Sequence, residues 1–352
     1  MMTGEELSHA VKSGEAYTDE NFSEIDLTHV DLSGGLFIKS RFDGCDFSQS
    51  NLKDALFNDC SFKNCGFVKA DLNQASFIGC DIKAPNFSGI RVDYFKVIKS
   101  KMTQANFSQA QLKGMCVFSD TDLSGSRFDA ANLDTAVFNS CNLKQADFSR
   151  ANLYKTTFFK CEFENNKFAG AVIHLSLFHE AQLTGTDFSC MDLTQVQFHR
   201  SHLAGCNFSG TQLKQGGFME ANLETANFRD AYLELANFYG ASLLESCFEH
   251  ADMKNASLQK TILTRSNFNH ASLLQAQMEG VSAEQSSFRH ADLTYADLSH
   301  AMLAKSDFSF AGLMLTNLHG VDDKNTQWEG STKHLARGTD TARLKSEQWR
   351  KQ

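Results

Sequence analysis

The most constraining feature of the sequence is a repeat of five residues. A large apolar side chain, called the centre here, recurs at every fifth position from Phe22 to Leu112 and again from Phe118 to Leu318. Of these 60 centres, all but Ala283 are Leu, Phe, Ile, Val or Met, and 28 of the 31 Phe residues occupy them. A period of five fits neither the helical nor the strand period, so ordinary helices and long strands are excluded.

A second position of the repeat is also restricted. Two residues before the centre, 50 of the 60 positions hold Ala, Ser, Thr, Cys or Gly. This position is therefore predicted to face inward and to accept only small side chains. The excess of Phe, with a single Pro and two Trp in the whole chain, indicates that one core position demands the same shape repeatedly.

The centres also follow a longer period of twenty residues. Sorting them into four columns gives one column of Phe and a neighbouring column that is mostly Leu. A coil with four five-residue sides produces this pattern, because identical residues then stack coil upon coil. The predicted core includes Phe128, Phe148, Phe168, Phe188, Phe208, Phe228, Phe248, Phe268, Phe288, Phe308, Leu133, Leu153, Leu193 and Leu213.

The stretch ADLTYADLSHAMLAKSDF, from Ala291 to Phe308, shows the pattern A(D/N)LXX. It resembles the pentapeptide-repeat family, and the resemblance covers about 300 of the 352 residues. It implies an all-β fold, a right-handed quadrilateral β-helix of about 15 coils. At ~4.8 Å per coil such a solenoid would be roughly 70 Å long, and its stability would come from stacking between neighbouring coils.

The pattern predicts three segments: an N-terminal cap at 1–20, the solenoid at 21–320, and a C-terminal cap with a basic tail at 321–352. Thr3 and Glu6 predict a capping box for a short helix in the first segment. The last segment is expected to plug the final coil with Trp328 and to end in a helix, which serves either as a cap or as a docking element.

Two irregularities interrupt the solenoid. One extra residue near 113–117 predicts a local bulge, and the tract 80–102 has weak centres and bulky residues at the small position. The tract is either an eroded repeat or a kink or protruding loop used for binding, and its surface is locally basic. The candidate partner-binding residues are Lys83, Arg91, Lys96, Lys99, Lys101 and, in the tail, Trp349.

Metal and disulfide sites are disfavoured. His250, His270 and His290 are twenty residues apart and predict a ladder of imidazoles, for which metal binding is the alternative to a plain surface ladder. No ladder of Asp or Glu accompanies them, so no metal or cofactor is expected. Eight of the ten Cys residues occupy the small inward position and are expected to act as small apolar side chains.

The sequence contains none of the common catalytic motifs, and a solenoid provides no concave pocket, so the chain is predicted not to be an enzyme. No stretch approaches the ~20 apolar residues of a membrane span. The N-terminus has Glu5 and Glu6 with no apolar run behind them. A cytoplasmic protein is therefore expected, with export by a signal-peptide-independent system left open.

Charge separates two functional hypotheses. Residues 1–321 carry a net charge of −11 and residues 322–352 a net charge of +2. The favoured hypothesis is a monomeric scaffold or adaptor that binds protein partners, with a link to type VI secretion suggested by family habit. The alternative, also from the resemblance, is a DNA mimic acting on gyrase or topoisomerase IV, with a dimer as its usual form.

The size of the net charge weighs against the DNA-mimic hypothesis. DNA of the same length would present about 40 charges, and the acidic side chains are expected to be scattered evenly, with no strongly acidic end. Direct nucleic-acid binding is disfavoured by the acidic balance.

Overall fold

The computed structural model describes residues 2–349, which form two compact units at residues 2–182 and 183–349. Within each unit the chain pairs in parallel with the segment about twenty residues later, as Phe37 does with Phe57 in the first unit and Asn207 with Asn227 in the second. Each unit is thus a parallel β-solenoid of about eight coils. The solenoid fold is confirmed, with slightly more coils than the fifteen expected.

In the described part of the first unit, thirteen three-residue strands are present, and each buries its middle residue. The strands are β1 (Ala16–Thr18), β2 (Leu36–Ile38), β3 (Leu56–Asn58), β4 (Ser61–Lys63), β5 (Ser76–Ile78), β6 (Asp81–Lys83), β7 (Arg91–Asp93), β8 (Lys96–Ile98), β9 (Gln111–Lys113), β10 (Val117–Ser119), β11 (Val137–Asn139), β12 (Thr157–Phe159) and β13 (Leu177–His179). Nine form one sheet in the order β1-β2-β3-β5-β8-β10-β11-β12-β13, while β4 pairs with β6 and β7 with β9.

Helix α1 (Gly4–Lys12) precedes the first coil. Its predicted capping box is present: Oγ1 of Thr3 accepts from the N–H of Glu6 over 3.2 Å, and Oε2 of Glu6 accepts from the N–H of Thr3 over 2.8 Å. The helix buries Leu7 and Val11. The N-terminal cap is therefore a short amphipathic helix.

The second unit pairs its coils through isolated parallel bridges and ends in a 3₁₀ turn (Lys333–Leu335) and helix α2 (Thr341–Trp349). Trp328 stacks on Phe308 with ring centroids 4.8 Å apart. Parallel pairing begins at Ala16 in the first unit and ends at Arg337 in the second, outside the predicted solenoid bounds of 21–320. The backbone continues to pair where the side-chain pattern has already decayed, because pairing needs the coil path and not the apolar centre.

Stacked Phe rings form the core of each unit. Phe228 lies between Phe208 and Phe248, with both centroid distances at 4.7 Å and ring planes within 8° of parallel. Phe218 and Phe238, from the column across the coil, meet the same ring edge to face at 5.7 and 5.8 Å. Both arrangements are favourable for aromatic quadrupoles, which explains why Phe is used in two facing columns.

Polar side chains at the small inward position form hydrogen bonds with main-chain carbonyls. Oγ1 of Thr156 donates to the carbonyl of Leu133 over 2.8 Å, and the thiol of Cys45 donates to the carbonyl of Phe22 over 2.9 Å. Burial raises the pKa of the Cys45 thiol to about 11. Hydroxyl and thiol groups are thus tolerated beside the aromatic columns, since each buried donor has a carbonyl acceptor.

Asp or Asn directly before the centre shapes each side of the coil. Oδ1 of Asn152 accepts from the N–H of Tyr154 over 3.1 Å, and its Nδ2 donates to Oδ1 of Asn132 in the preceding coil over 3.0 Å. The residue two after the centre turns the corner with a positive φ, as at Lys155 (53°). The D/N of the repeat therefore supports each side of the coil and links it to the next coil.

Candidate partner-binding surface

The five basic residues predicted from tract 80–102 do not form one patch. Lys83 follows centre Ile82 and Lys101 precedes centre Met102, twenty residues later, so both lie on the same side of the coil. Lys99 turns the corner just before that side with a φ of 49°. Lys96 belongs to the preceding side and Arg91 to the opposite one, because successive centres lie on successive sides.

Tract 80–102 has neither a kink nor a protruding loop. The twenty-residue register continues through it, with Asp81 paired to Lys101 and Asn86 to Asn106. Phe95, at a position meant for small residues, is fully buried. The regular register favours the interpretation as an eroded repeat, and Phe95 lies between the small centres Val92 and Val97.

Three lysines converge on one side of the first unit. Lys63, Lys83 and Lys101 line a surface depression of about 460 Å³, together with Asp81 and Asp122. Nζ of Lys63 lies 3.7 Å from Oδ2 of Asp81. Within residues 2–349, Lys83 and Lys101 form no ion pair with a carboxylate. We call this the lysine depression.

The lysine depression includes a residue that sequence reasoning missed. Lys63 lies twenty residues before Lys83, and this spacing was the available signal. Arg91 lines a different depression of about 470 Å³ with Lys69 and Asp71. The predicted residues therefore divide between separate surfaces.

Charge is banded along the first unit. Residues 1–59 carry twelve acidic and four basic side chains, whereas residues 60–117 carry three acidic and eight basic ones. The expectation of evenly scattered acids with no strongly acidic end is therefore wrong. We call residues 60–117 the basic band, and the lysine depression lies within it.

Two descriptions of the same repeat match the chain. The pentapeptide repeat region matches residues 95–158 and 132–208, and the pentapeptide repeats (8 copies) match residues 218–255, 246–282 and 284–320. Together these segments cover more than half of the chain. The chain belongs to the pentapeptide-repeat family. The SV2A/B/C luminal domain also matches, at residues 6–87.

Solved structures similar to this pentapeptide-repeat protein include HetL, involved in heterocyst differentiation regulation in the cyanobacterium Nostoc sp., at 20% identity over 72% of this chain and 92% of HetL, with a TM-score of 0.20. Full-length QnrB1, a plasmid-mediated fluoroquinolone resistance protein, is 17% identical over 77% and 98%, with a TM-score of 0.18. A thylakoid-lumen pentapeptide-repeat protein of Arabidopsis thaliana is 21% identical over 39% and 69%, with a TM-score of 0.18. These similarities carry no information on function. No curated protein matches the sequence.

The histidine ladder of this pentapeptide-repeat protein is a stack of parallel rings. His250, His270 and His290 have neighbouring centroids 4.9 Å apart, and Phe310 continues the stack at 5.0 Å. Among the described residues, the three-residue group whose possible ligand atoms all lie within 4.8 Å of one another is His300, His319 and Glu347, and the ladder is not part of it.

A second histidine cluster joins α2 to the second unit. Nε2 of His300 and Nε2 of His319 each lie 3.2 Å from Oε2 of Glu347. The N–H of Asp340 donates to Nδ1 of His319 over 3.2 Å, so neutral His319 carries its proton on Nε2. An imidazole that binds a metal through Nε2 has the reverse arrangement, with Nδ1 donating. We call this hydrogen-bonded cluster the C-terminal clasp.

The C-terminal clasp bears on whether the tail helix is a cap or a docking element for a partner. Glu347 holds α2 against the solenoid, while Trp349 at the end of the helix is 80% exposed. The helix is therefore docked, and its tryptophan is left accessible. Among residues 2–349, no helix is long and apolar enough to cross a bilayer.

Proposed function

We propose that this pentapeptide-repeat protein is a non-enzymatic scaffold that binds a protein partner through the basic band. The observation that carries the proposal is the lysine depression, where the ammonium groups of Lys83 and Lys101 face solvent without an ion-pair partner among the described residues. Like charges held close together favour an acidic ligand, and such complementarity mainly sets association rate and specificity.

The setting of the surface supports the proposal. The strands around the depression are parallel, short and stacked, so the backbone positions that carry the lysines are held at fixed intervals by the coil. Little backbone conformational entropy is then lost when a partner binds. We further propose that the protein is a monomer and that it works in a reducing cytoplasm; the ten free cysteines support the reducing compartment. A link to secretion machinery stays a prediction.

Photo-crosslinking tests the proposal. A photoreactive amino acid replaces Thr103, which lines the depression, and covalent adducts are identified by mass spectrometry after irradiation in cells. One protein adduct is expected, and Lys83→Glu with Lys101→Glu is expected to remove it. The matched control is Lys305→Glu with Lys324→Glu, two exposed lysines of the second unit. An adduct that survives reversal in the depression, or no protein adduct at all, refutes the proposal.

One observation favours the DNA mimic as a second candidate. Residues 16–59 carry a net charge of −6 over roughly two coils, or about 10 Å at ~4.8 Å per coil. DNA presents about six charges over that length, so the local density is equal. The basic band then reverses the sign, which restricts any mimicry to the first coils.

A gyrase supercoiling assay decides on this second candidate. Mimicry predicts inhibition that is lost in Asp26→Lys with Asp46→Lys, because these carboxylates lie on one side of neighbouring coils. The control Asp292→Lys makes the same kind of change in the second unit. If the protein does not inhibit supercoiling, the mimic is excluded and the scaffold remains.

A further inference from the structure

The extra residue of the repeat lies at one corner of the first unit. Arg91 pairs with Gln111, an offset of twenty, whereas Lys96 pairs with Val117, an offset of 21. The insertion therefore falls within residues 114–116. The chain passes this point with two successive positive φ angles, 63° at Gly114 and 57° at Met115.

Two large apolar side chains are exposed at this corner, Tyr94 on one coil and Met115 on the coil that follows it. Tyr94 is 54% exposed and Met115 is 58% exposed, the highest values among large apolar residues of the described chain apart from Trp349. A Cβ atom on Gly114 would lie 3.2 Å from Cε2 of Tyr94. The ring therefore rests against the main chain next to Met115, and contact with Gly114 restrains it.

Two lysines, two free main-chain donors and one carboxylate residue lie near Tyr94 and Met115. The carboxylate residue is Asp93, which pairs in register with Lys113. Among the described residues, the N–H groups of Gly114 and Met115 find no hydrogen-bond acceptor. Lys96 and Lys113 are exposed, and no described carboxylate forms an ion pair with either. Free main-chain donors next to cationic side chains form an anion-attracting surface.

We propose that this corner, which we call the insertion corner, binds an acidic segment of a partner protein. An apolar side chain of the segment packs on Tyr94 and Met115, while its carboxylates face Lys96 and Lys113. Tyrosine is among the residue types enriched at interface hot spots. The occupant is specified by charge complementarity, because the basic band has eight basic and three acidic side chains. The inference rests on the proposed scaffold function.

Fluorescence anisotropy with a defined probe tests the insertion corner. The probe is a fluorescein-labelled synthetic peptide of alternating Glu pairs and single Leu residues, and the matched peptide carries Ser in place of each Leu. The protein is expected to bind the Leu peptide about tenfold more tightly than the Ser peptide. Binding should weaken as salt is raised, since the charges are exposed.

Three variants and one control locate the binding site. Tyr94→Ser with Met115→Ser, and separately deletion of Met115, which restores the twenty-residue spacing, should each weaken peptide binding about tenfold. Lys96→Glu with Lys113→Glu should abolish the salt dependence. The control Tyr295→Ser removes a 48% exposed tyrosine at the same repeat position of the second unit and should leave binding unchanged. Circular dichroism checks that every variant is folded.

Several results would overturn the inference. Equal affinity for the Leu and Ser peptides would show that no apolar anchor is used. Tighter binding to phosphatidylserine vesicles or duplex DNA than to the peptide would replace the protein partner with another anion. If Tyr94→Ser with Met115→Ser leaves the cellular crosslink at Thr103 and the peptide affinity intact, the insertion corner is wrong while the scaffold stands. If Tyr94→Ser with Met115→Ser loses the crosslink at Thr103 while Lys83→Glu with Lys101→Glu keeps it, the lysine depression is refuted as the binding site of the scaffold.

Discussion

The contribution of facing Phe columns to stability can be measured with two substitutions in one column. Phe228 has four ring partners, two stacked and two edge to face. Phe268 has two stacked partners among the described residues, Phe248 and Phe288, at 4.7 and 5.0 Å. The difference arises because the facing column changes from Phe to Leu258 and Met278 beyond residue 238.

Replacing each ring by Leu removes the same aromatic group from an equally buried site. The loss of apolar area is therefore the same for Phe228→Leu and Phe268→Leu. Aromatic pairs contribute about 0.5–1.5 kcal/mol each beyond their buried area. Two additional edge-to-face pairs make Phe228→Leu more destabilising by about 1–3 kcal/mol.

Guanidinium unfolding followed by far-ultraviolet circular dichroism measures the difference, provided that both variants keep the wild-type slope against denaturant. Because coils of a solenoid can unfold separately, hydrogen exchange read by mass spectrometry over 203–293 supplies a local value. Variants that differ by less than about 0.3 kcal/mol would show that edge-to-face contacts add nothing beyond area, and the explanation of the paired Phe columns would fail.

Two further predictions follow from burial and from the C-terminal clasp. In the native protein a charged thiol reagent should modify Cys190, which is exposed, then Cys247 more slowly, while the remaining thiols react only in denaturant; rapid reaction of more than two thiols would contradict the burial. Hydrogen bonds from Arg343 and His319 lower the pKa of the Glu347 carboxyl. Docking of α2 should therefore be complete above the unfolded-state pKa of this carboxyl, near 4.5. It should be lost as pH falls through the lowered pKa of the folded state. Limited proteolysis with an acid-active protease reports this release, and Glu347→Gln should remove the pH dependence; release that is independent of pH in the wild type would refute the role of the carboxylate.

Much of the fold follows from local rules that a single sequence displays. A coil of four equal sides repeats its environment every twenty residues, so each inward position imposes the same size and polarity on every coil. For this reason the stacked Phe residues, the small position and the four columns could all be predicted without coordinates. The solenoid's bounds could not, because main-chain pairing persists to Arg337 after the apolar centres have disappeared.

The surfaces depended on information that periodicity does not carry. The basic residues of tract 80–102 are close in sequence, which suggests a single patch. The coil instead places Lys83 and Arg91 on opposite sides and brings Lys63 beside Lys83 from the preceding coil. The clasp joins His319 to Glu347 across 28 residues that follow no repeat. A periodic pattern specifies which side of the coil a residue occupies, whereas exposure, contact and charge balance arise only when separate coils and the terminal helix pack against one another.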